Sequence, residues 1–520
     1  MIRSTPSHRS HLLPSQRRLL IQELTVALFF VLLALTLPVL LSDCTSNKRN
    51  EDRFSDVRSQ ILDFMEDENI PSVSVAVAQH GKIIWEESFG WSNRERKTKA
   101  TPHTMYEIAS IAKVFTTTGL MVLKERGLLD LDAQVERYTG DVKIRTFGLD
   151  ASGVTLRRII QHTSGLPMYW GEAAASDTSR PYTRKDFFAR YGILGFRPGE
   201  RELYSNLGIR LLTHVIEEVA AQPYADFLTH SVFLPLGLTD TRRLSAPATT
   251  DEYAQQYDHA GKPWTYPEGF YASAHDLLRF GMFHLKDHLP DQKQILSDST
   301  LDLMQTSVDP LSDFRLPWWV WEYEGFVALV FTGASGTIMA LAPEADLAIV
   351  VLANRMQANT PKICGLIAET VLNDFEGEQR LPTQARVQKK IQPAALSPRS
   401  LAGLWVGSIV TPEREFPVEI SFSGVSSPRM RRMNSDGSWD GWAETMPSLR
   451  GDYRAGTFSA YFPLRIPIGD TRAHDHWTWI YVGQRVDTLE GYAVAHAADG
   501  PHFGLPFYIR LTHDRAGGRE

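Results

Sequence analysis

Of all the lysines in this 520-residue chain, only Lys113 has a serine three positions before it, in Ser110-Ile111-Ala112-Lys113. The pair opens an amphipathic run, Ile111 to Arg126, that ends at Gly127 and predicts a helix. On a helix, residues three apart share a face, about 5–6 Å apart at Cβ. A serine hydroxyl is a weak nucleophile until a neighbouring base takes its proton. An amine can be that base where burial or a second cation disfavours its charge. The spacing therefore fits a nucleophile and its base. Standing alone, it reads equally well as a serine helix cap followed by a solvated lysine.

Two further clusters carry matching chemistry. Tyr204-Ser205-Asn206 is the one place among 17 tyrosines where Asn follows two positions on. It comes after a turn, Arg197-Pro198-Gly199-Glu200. A tyrosine held between cationic groups relays protons, and the Asn206 amide can donate to a substrate carbonyl and orient Lys113. The plainer alternative is a tyrosine at a helix start with Asn as its cap. The third cluster is Phe331-Thr332-Gly333-Ala334-Ser335-Gly336, between strand-like Phe326 to Val330 and Thr337 to Leu341. A glycine-rich strand edge lets a substrate backbone approach and pair. Thr332, Gly333 and Ala334 are thus candidate substrate-binding positions, and their amides could hold an oxyanion.

These clusters lie in a stretch, 54–376, where helical and strand patterns alternate. Ser72 to Ala78 alternates with period two, His80-Gly81 is a turn signal, and Lys82 to Glu86 follows, which predicts a hairpin. Leu347 to Leu352 is a short apolar run of strand type. Residues 377–400, with Pro382, Pro393 and Pro398, read as a linker. After Leu401 the texture is all-β through 401–515. Predicted strands there are Trp405 to Gly407, Phe416 to Phe422, Thr457 to Leu464, Trp477 to Val482, Leu489 to Val494 and Phe507 to Leu511.

The three clusters, with His162-Thr163-Ser164-Gly165-Leu166-Pro167, Pro235-Leu236-Gly237-Leu238, Ala272 to Phe280 and Pro343 to Asn354, occur in an order that resembles the serine β-lactamase and penicillin-binding-protein superfamily. The likeness is to its class C-like branch, with its esterases and D-amino-acid peptidases, and covers residues 54–376. It implies an α/β (α+β) fold: an antiparallel sheet flanked by helices, with a helical subdomain. It implies that Ser110 is acylated and that Lys113 and Tyr204 share the base and acid work. Asn206 would orient substrate, and the backbone amides of Ser110 and Ala334 would form the oxyanion hole. No cofactor or metal is implied, and His162 reads as structural. The family's third motif usually begins with Lys or His, and here Phe331 stands in that place. Its apolar side chain argues against carboxylate-bearing β-lactams and for a neutral ester or amide, with Trp318, Trp319 and Trp321 as a possible apolar wall. The rivals are a D-amino-acid peptidase acting on cell-wall peptides and a binding protein without catalysis. The C-terminal part, with Gly403-Leu404-Trp405, resembles the small lipocalin-like β-barrel appended to such hydrolases, here expected to be packed rather than to carry a ligand.

The N-terminus reads as an address. Residues 1–23 carry Arg3, Arg9, Arg17 and Arg18 against Glu23, and no charge occurs from Leu24 to Leu41. Eighteen helical residues span roughly 27 Å, close to a bilayer core. The arginines predict a cytoplasmic N-terminus and an extracytoplasmic catalytic body. Segment 24–44 is thus a membrane anchor, a lipoprotein-type signal ending at Cys44, or a cleaved signal; Asp43 departs from the lipoprotein pattern. Residues 45–53 read as a tether. A net charge of −7 gives no basic field for nucleic acid. The 2 cysteines, Cys44 and Cys364, lie too far apart in sequence to suggest a local staple, and Cys364 reads as an isolated buried thiol. Neither they nor the 16 histidines show zinc-ligand spacing.

Overall fold

The computed structural model describes residues 53–168, 183–246, 248–265, 268–307, 309–323, 326–372, 400–423, 427–445, 457–467, 476–485, 487–497 and 504–514. Segments 1–23 and 24–44, nearly all of the tether and nearly all of the linker lie outside them. Two compact units divide the chain, Met1–Asp63 and Phe64–Glu520. The described part of the first is mostly one end of the helix Ser55–Asp67; everything below concerns the second.

Its frame is a seven-stranded antiparallel sheet. Along the chain the strands are β1 (Ser72–Gln79), β2 (Lys82–Asn93), β3 (Thr98–Lys99), β9 (Trp319–Tyr323), β10 (Phe326–Gly333), β11 (Thr337–Ala342) and β12 (Leu347–Ala353). In space they run β3-β2-β1-β12-β11-β10-β9. Between β3 and β9 the chain adds β4 (Tyr106–Glu107), β5 (Thr241–Leu244) and β8 (Gly269–Ala272), a small sheet, and the hairpin β6 (Gln256–Tyr257) with β7 (Pro263–Trp264). The predicted β1–β2 hairpin is present. His80 and Gly81 both have positive φ, 53° and 69°, as a tight two-residue hairpin turn requires.

All seven residues of β12 are buried, because helices cover both faces of the sheet. Gly281, on the helix Ala274–Leu285, lies against Leu341 and Ala348 on one face. The helix Thr360–Val371 packs on the other and buries Cys364, whose thiol burial pushes up to about 12. A helical subdomain surrounds Ala112–Glu125. Eleven of that helix's residues, Lys113 through Leu123, are buried against the helices Asn206–Ala220 and Tyr224–Leu228. A helix buried all round belongs at the centre of a core.

The C-terminal part is a nearly closed eight-stranded antiparallel barrel. Its strands are β13 (Gly403–Val410), β14 (Glu415–Phe422), β15 (Arg429–Arg432), β16 (Ala443–Glu444), β17 (Thr457–Phe462), β18 (His476–Arg485), β19 (Thr488–Ala497) and β20 (Gly504–His513). Their order is β16-β15-β14-β13-β20-β19-β18-β17, so chain neighbours pair and the seam falls between β16 and β17. Trp405, Ile409, Ile420, Phe458, Ile480 and Phe507, each at most 1% exposed, fill it, as side chains do in a small barrel. Strands β15 and β16 escaped the sequence reading because β15 is mostly arginine. Those charges are answered locally: Arg431 donates to Glu419 on β14 at 2.6 Å and lies over Trp439 and Trp442.

Candidate active site

The turn that carries Ser110 begins at β4. Ala109 holds a left-handed φ of +44°, a conformation that costs an L-residue roughly 1–2 kcal/mol. Buried Glu107 holds it there by accepting the Ala109 N–H at 2.9 Å. Burial lifts the Glu107 carboxyl to about 7, against the opposing pull of the Ala109 amide and the charge of Lys113. One 3-10 turn, Ala109–Ile111, then delivers Ser110 to the start of the helix Ala112–Glu125, where the N-terminal dipole favours negative charge.

Lys113 lies on the first turn of that helix, 7% exposed, and its Nζ donates to Ser110 Oγ at 2.9 Å. Tyr204 arrives from a loop 94 residues away and donates its Oη to the same oxygen at 3.0 Å. Lys113 Nζ also stands 5.0 Å from the Tyr204 ring centroid. Three predicted residues thus meet at one atom. With both donors in place they stabilise a developing alkoxide; with either as the neutral amine or the phenolate, the pair can take the serine proton.

Asn206 opens its helix directly after the Ser205 cap, whose Oγ accepts the Gly208 N–H at 2.9 Å. The Asn206 side chain makes no hydrogen bond among the described residues, so the predicted contact with Lys113 is not formed here. Phe331, Thr332 and Gly333 belong to β10 rather than to a turn; the turn is Ala334 to Gly336. The strand runs on because Phe331 is buried, 4% exposed, in the core. Gly333 is needed for space. A Cβ there would collide with the Ile108 carbonyl oxygen and with Thr337 Oγ1. The end of β10 therefore abuts the turn that carries Ser110, with exposed Ala334 just beyond it.

His162, read as structural, is buried beside the site. Its Nδ1 accepts the Ser205 N–H at 3.1 Å and its ring lies 4.4 Å from that of Tyr204. Burial, with the Lys113 charge, pushes it down to about 3, so it is a neutral acceptor at ordinary pH. The tryptophan wall needs correction. Trp318 is wholly buried beside His284, and Trp321 faces the helix Thr360–Val371 in an apolar cavity shared with Cys364. Trp319 alone is partly open, 36% exposed, stacked on Phe314, whose ring is 6.1 Å from Tyr204. The sequence reading missed Glu107 and Phe314. Glu107 lies three residues before Ser110, and nothing local marks it as buried; Phe314 reaches the site only through the fold.

The profile of a family described as Beta-lactamase matches residues 57–368. Penicillin-binding protein 4* of Bacillus subtilis (strain 168) is 35% identical over 192 residues, 35% of this chain and 41% of that protein. Protein flp of Staphylococcus aureus (strain NCTC 8325 / PS 47) is 27% identical over 327 residues, 59% of this chain and 64% of that one. The chain thus spans less than two thirds of either relative. Among solved structures, the octameric penicillin-binding protein homologue from Pyrococcus abyssi superposes with a TM-score of 0.53 at 20% identity, covering 88% of this chain and 99% of that one. A class C β-lactamase gives a TM-score of 0.52 at 20% identity, covering 64% and 98%. At these identities the structural likeness is one of fold.

Proposed function

This chain belongs to the Beta-lactamase family, and on that premise we propose that it is a serine hydrolase that works through an acyl-enzyme at Ser110 on neutral esters or amides. The observation that carries this reading is the convergence of Lys113 Nζ and Tyr204 Oη on Ser110 Oγ, at 2.9 and 3.0 Å. Oγ attacks the substrate carbonyl while its proton passes to the Lys113–Tyr204 pair. The oxyanion is received by the Ser110 and Ala334 amides. The proton then goes to the departing oxygen or nitrogen as its bond to carbon breaks. Water repeats the sequence on the acyl-enzyme and frees Ser110. The preference for uncharged substrates rests on Phe331: among the described residues, Lys113 is the one cation in contact with Ser110 or Tyr204.

The test is intact-mass spectrometry of the full-length protein, incubated separately with a short-chain nitrophenyl ester and a penicillin, with Ser110→Ala as control. An ester adduct that forms and clears in wild type and is absent in Ser110→Ala is expected. The name of the Bacillus subtilis relative favours a second reading, action on wall peptides; a penicillin adduct that persists on Ser110 would move the assignment there. A folded protein that takes up neither reagent would favour the binding protein without catalysis.

Tethering to a membrane through segment 24–44, with the catalytic body outside the cytoplasm, is part of the same proposal and rests on the uncharged run Leu24 to Leu41. Among the described residues no helix is long and apolar enough to cross a membrane. The full-length protein is expected to stay with membranes through a high-salt wash and to leave them in detergent. Release by salt alone would reject the tether.

A further inference from the structure

Strand β19 turns Leu489, Ala493 and Ala495 into the barrel core, so the alternation sends Tyr492 and Val494 outwards. Both are nevertheless only 1% exposed. Their cover comes from the hydrolase domain: Ile193, Phe196 and Leu203 pack with Tyr492, Val494 and Tyr508 in one cluster. Around it, Arg485 donates to Glu200 at 3.0 Å, and Phe147 stacks on Tyr508 at 4.5 Å with the rings 10° apart.

The Tyr492 hydroxyl is placed more specifically than burial requires. It accepts the Gly195 N–H at 2.6 Å and donates to the Gly165 carbonyl, which the Gly195 N–H also reaches at 3.3 Å. Gly195 has to be glycine, because a Cβ there would run into the Tyr492 ring. Gly165 lies in the stretch His162 to Pro167, and that stretch is tied to the segment carrying the site tyrosine. The His162 carbonyl accepts the Leu203 N–H at 2.7 Å, its Nδ1 accepts the Ser205 N–H, and Ser205 Oγ donates to the Pro167 carbonyl at 2.7 Å. Neither stretch lies within a helix or strand. They have no ladder of their own, and a buried backbone group without a partner is costly.

We propose that the barrel braces the tyrosine loop of the active site through the Tyr492 hydroxyl, making Tyr492 a positioning residue for chemistry carried out in the other domain. The path runs from Tyr492 to Gly165, through the His162–Ser205 and Pro167–Ser205 bonds, to Tyr204 and so to Ser110. The kinetic consequence rests on the serine-hydrolase reading; the ordering of the loop does not. A reacting group displaced by about 1 Å loses on the order of 100-fold in rate, so a loosened Tyr204 should show in turnover before it shows in binding.

The experiment compares full-length wild type, Tyr492→Phe and Tyr508→Phe. Tyr492→Phe keeps the ring and removes only the hydroxyl. Among the described residues the buried Tyr508 hydroxyl has no hydrogen-bond partner, so Tyr508→Phe is a control at the same interface. Tyr492→Phe is expected to lower kcat for a nitrophenyl ester by about 10- to 100-fold with KM little changed. Amide exchange at Leu203 and Ser205 should quicken at least about 10-fold, while Tyr508→Phe matches wild type in both. If Tyr492→Phe folds poorly, exchange in the wild type decides instead: the Gly195, Leu203 and Ser205 amides should open with one common free energy, and a Gly195 amide that opens independently of Leu203 and Ser205 overturns the proposal. Wild-type kcat in folded Tyr492→Phe, or unchanged exchange at Leu203 and Ser205, overturns the proposal. If wild type acylates with neither ester nor penicillin, the hydrolase reading is what has failed, and exchange alone then decides whether the brace exists.

Discussion

Lys113→Ala is expected to slow acylation of Ser110 by about 10³-fold, Tyr204→Phe by about 10²–10³-fold, and the double variant by little more than the worse single one. The reason is geometric. Lys113 Nζ and Tyr204 Oη address the same serine oxygen, at 2.9 and 3.0 Å, and Nζ also stands 5.0 Å from the tyrosine ring centroid. A proton accepted by one is stabilised by the other, so they act as a single relay. With Lys113 gone, a Tyr204 phenolate has no adjacent cation to support it. With the Tyr204 hydroxyl gone, the amine must take the proton and return it to the leaving group unaided. Tyr204→Phe keeps the ring packed 4.4 Å from His162, so its loss belongs to chemistry rather than to folding. Initial rates of nitrophenolate release from the four proteins check this. A double-variant loss equal to the product of the single losses would show two independent contributions and sink the relay.

What could be seen beforehand follows the range of each interaction. Ser110 and Lys113 were legible because helix geometry alone fixes their relation, three residues apart. The link from Ser110 to Tyr204 crosses 94 residues, and no local pattern encodes it; it was reached through the order of motifs that the family shares. His162 stood out as part of such a motif, but not as the acceptor that holds Ser205. Glu107 was invisible because its role depends on burial, and β4 is only two residues long. Strand β10 was cut short at Val330 because Gly333 and Gly336 looked like one glycine-rich turn. In the fold they do different work: Gly333 leaves room for the Ile108 carbonyl, and Gly336 takes the left-handed φ of +90° at the turn itself. The barrel strand carrying Tyr492 was predicted, but the face that meets the hydrolase domain was not, since period-two alternation marks inside from outside and says nothing of what covers the outside.

Unfolding free energy is expected to fall by on the order of 2–3 kcal/mol per pH unit as pH drops from about 4 to about 3. His162 and His284 are both completely buried and held down at about 3, each chiefly by burial. An unfolded histidine takes up a proton near 6.5, which the folded sites refuse until about 3. Their contribution is therefore full above 6.5 and is lost as pH falls towards 3, each costing up to about 1.4 kcal/mol per unit. Glu107 and Asp276 act in the opposite sense. Burial lifts them to about 7 and about 6, so they keep protons that the unfolded chain releases near 4. Their contribution is full below that point and is lost as pH rises through 6 and 7. Going down from 6.5 to 4.5, these acids, joined by Asp287, which burial and the neighbouring Asp346 lift to about 7, offset what the two histidines lose. Below about 4 the acids come to hold protons in both states, and the histidines are left unopposed until they protonate in the fold near 3. Urea unfolding at closely spaced pH values measures the slope, and His284→Phe, placed among Phe280, Phe283 and Trp318, should roughly halve it. An equal slope in the two proteins would mean that His284 takes up its proton in the fold as readily as in the unfolded chain, and that acid lability arises instead from carboxylates losing their partners.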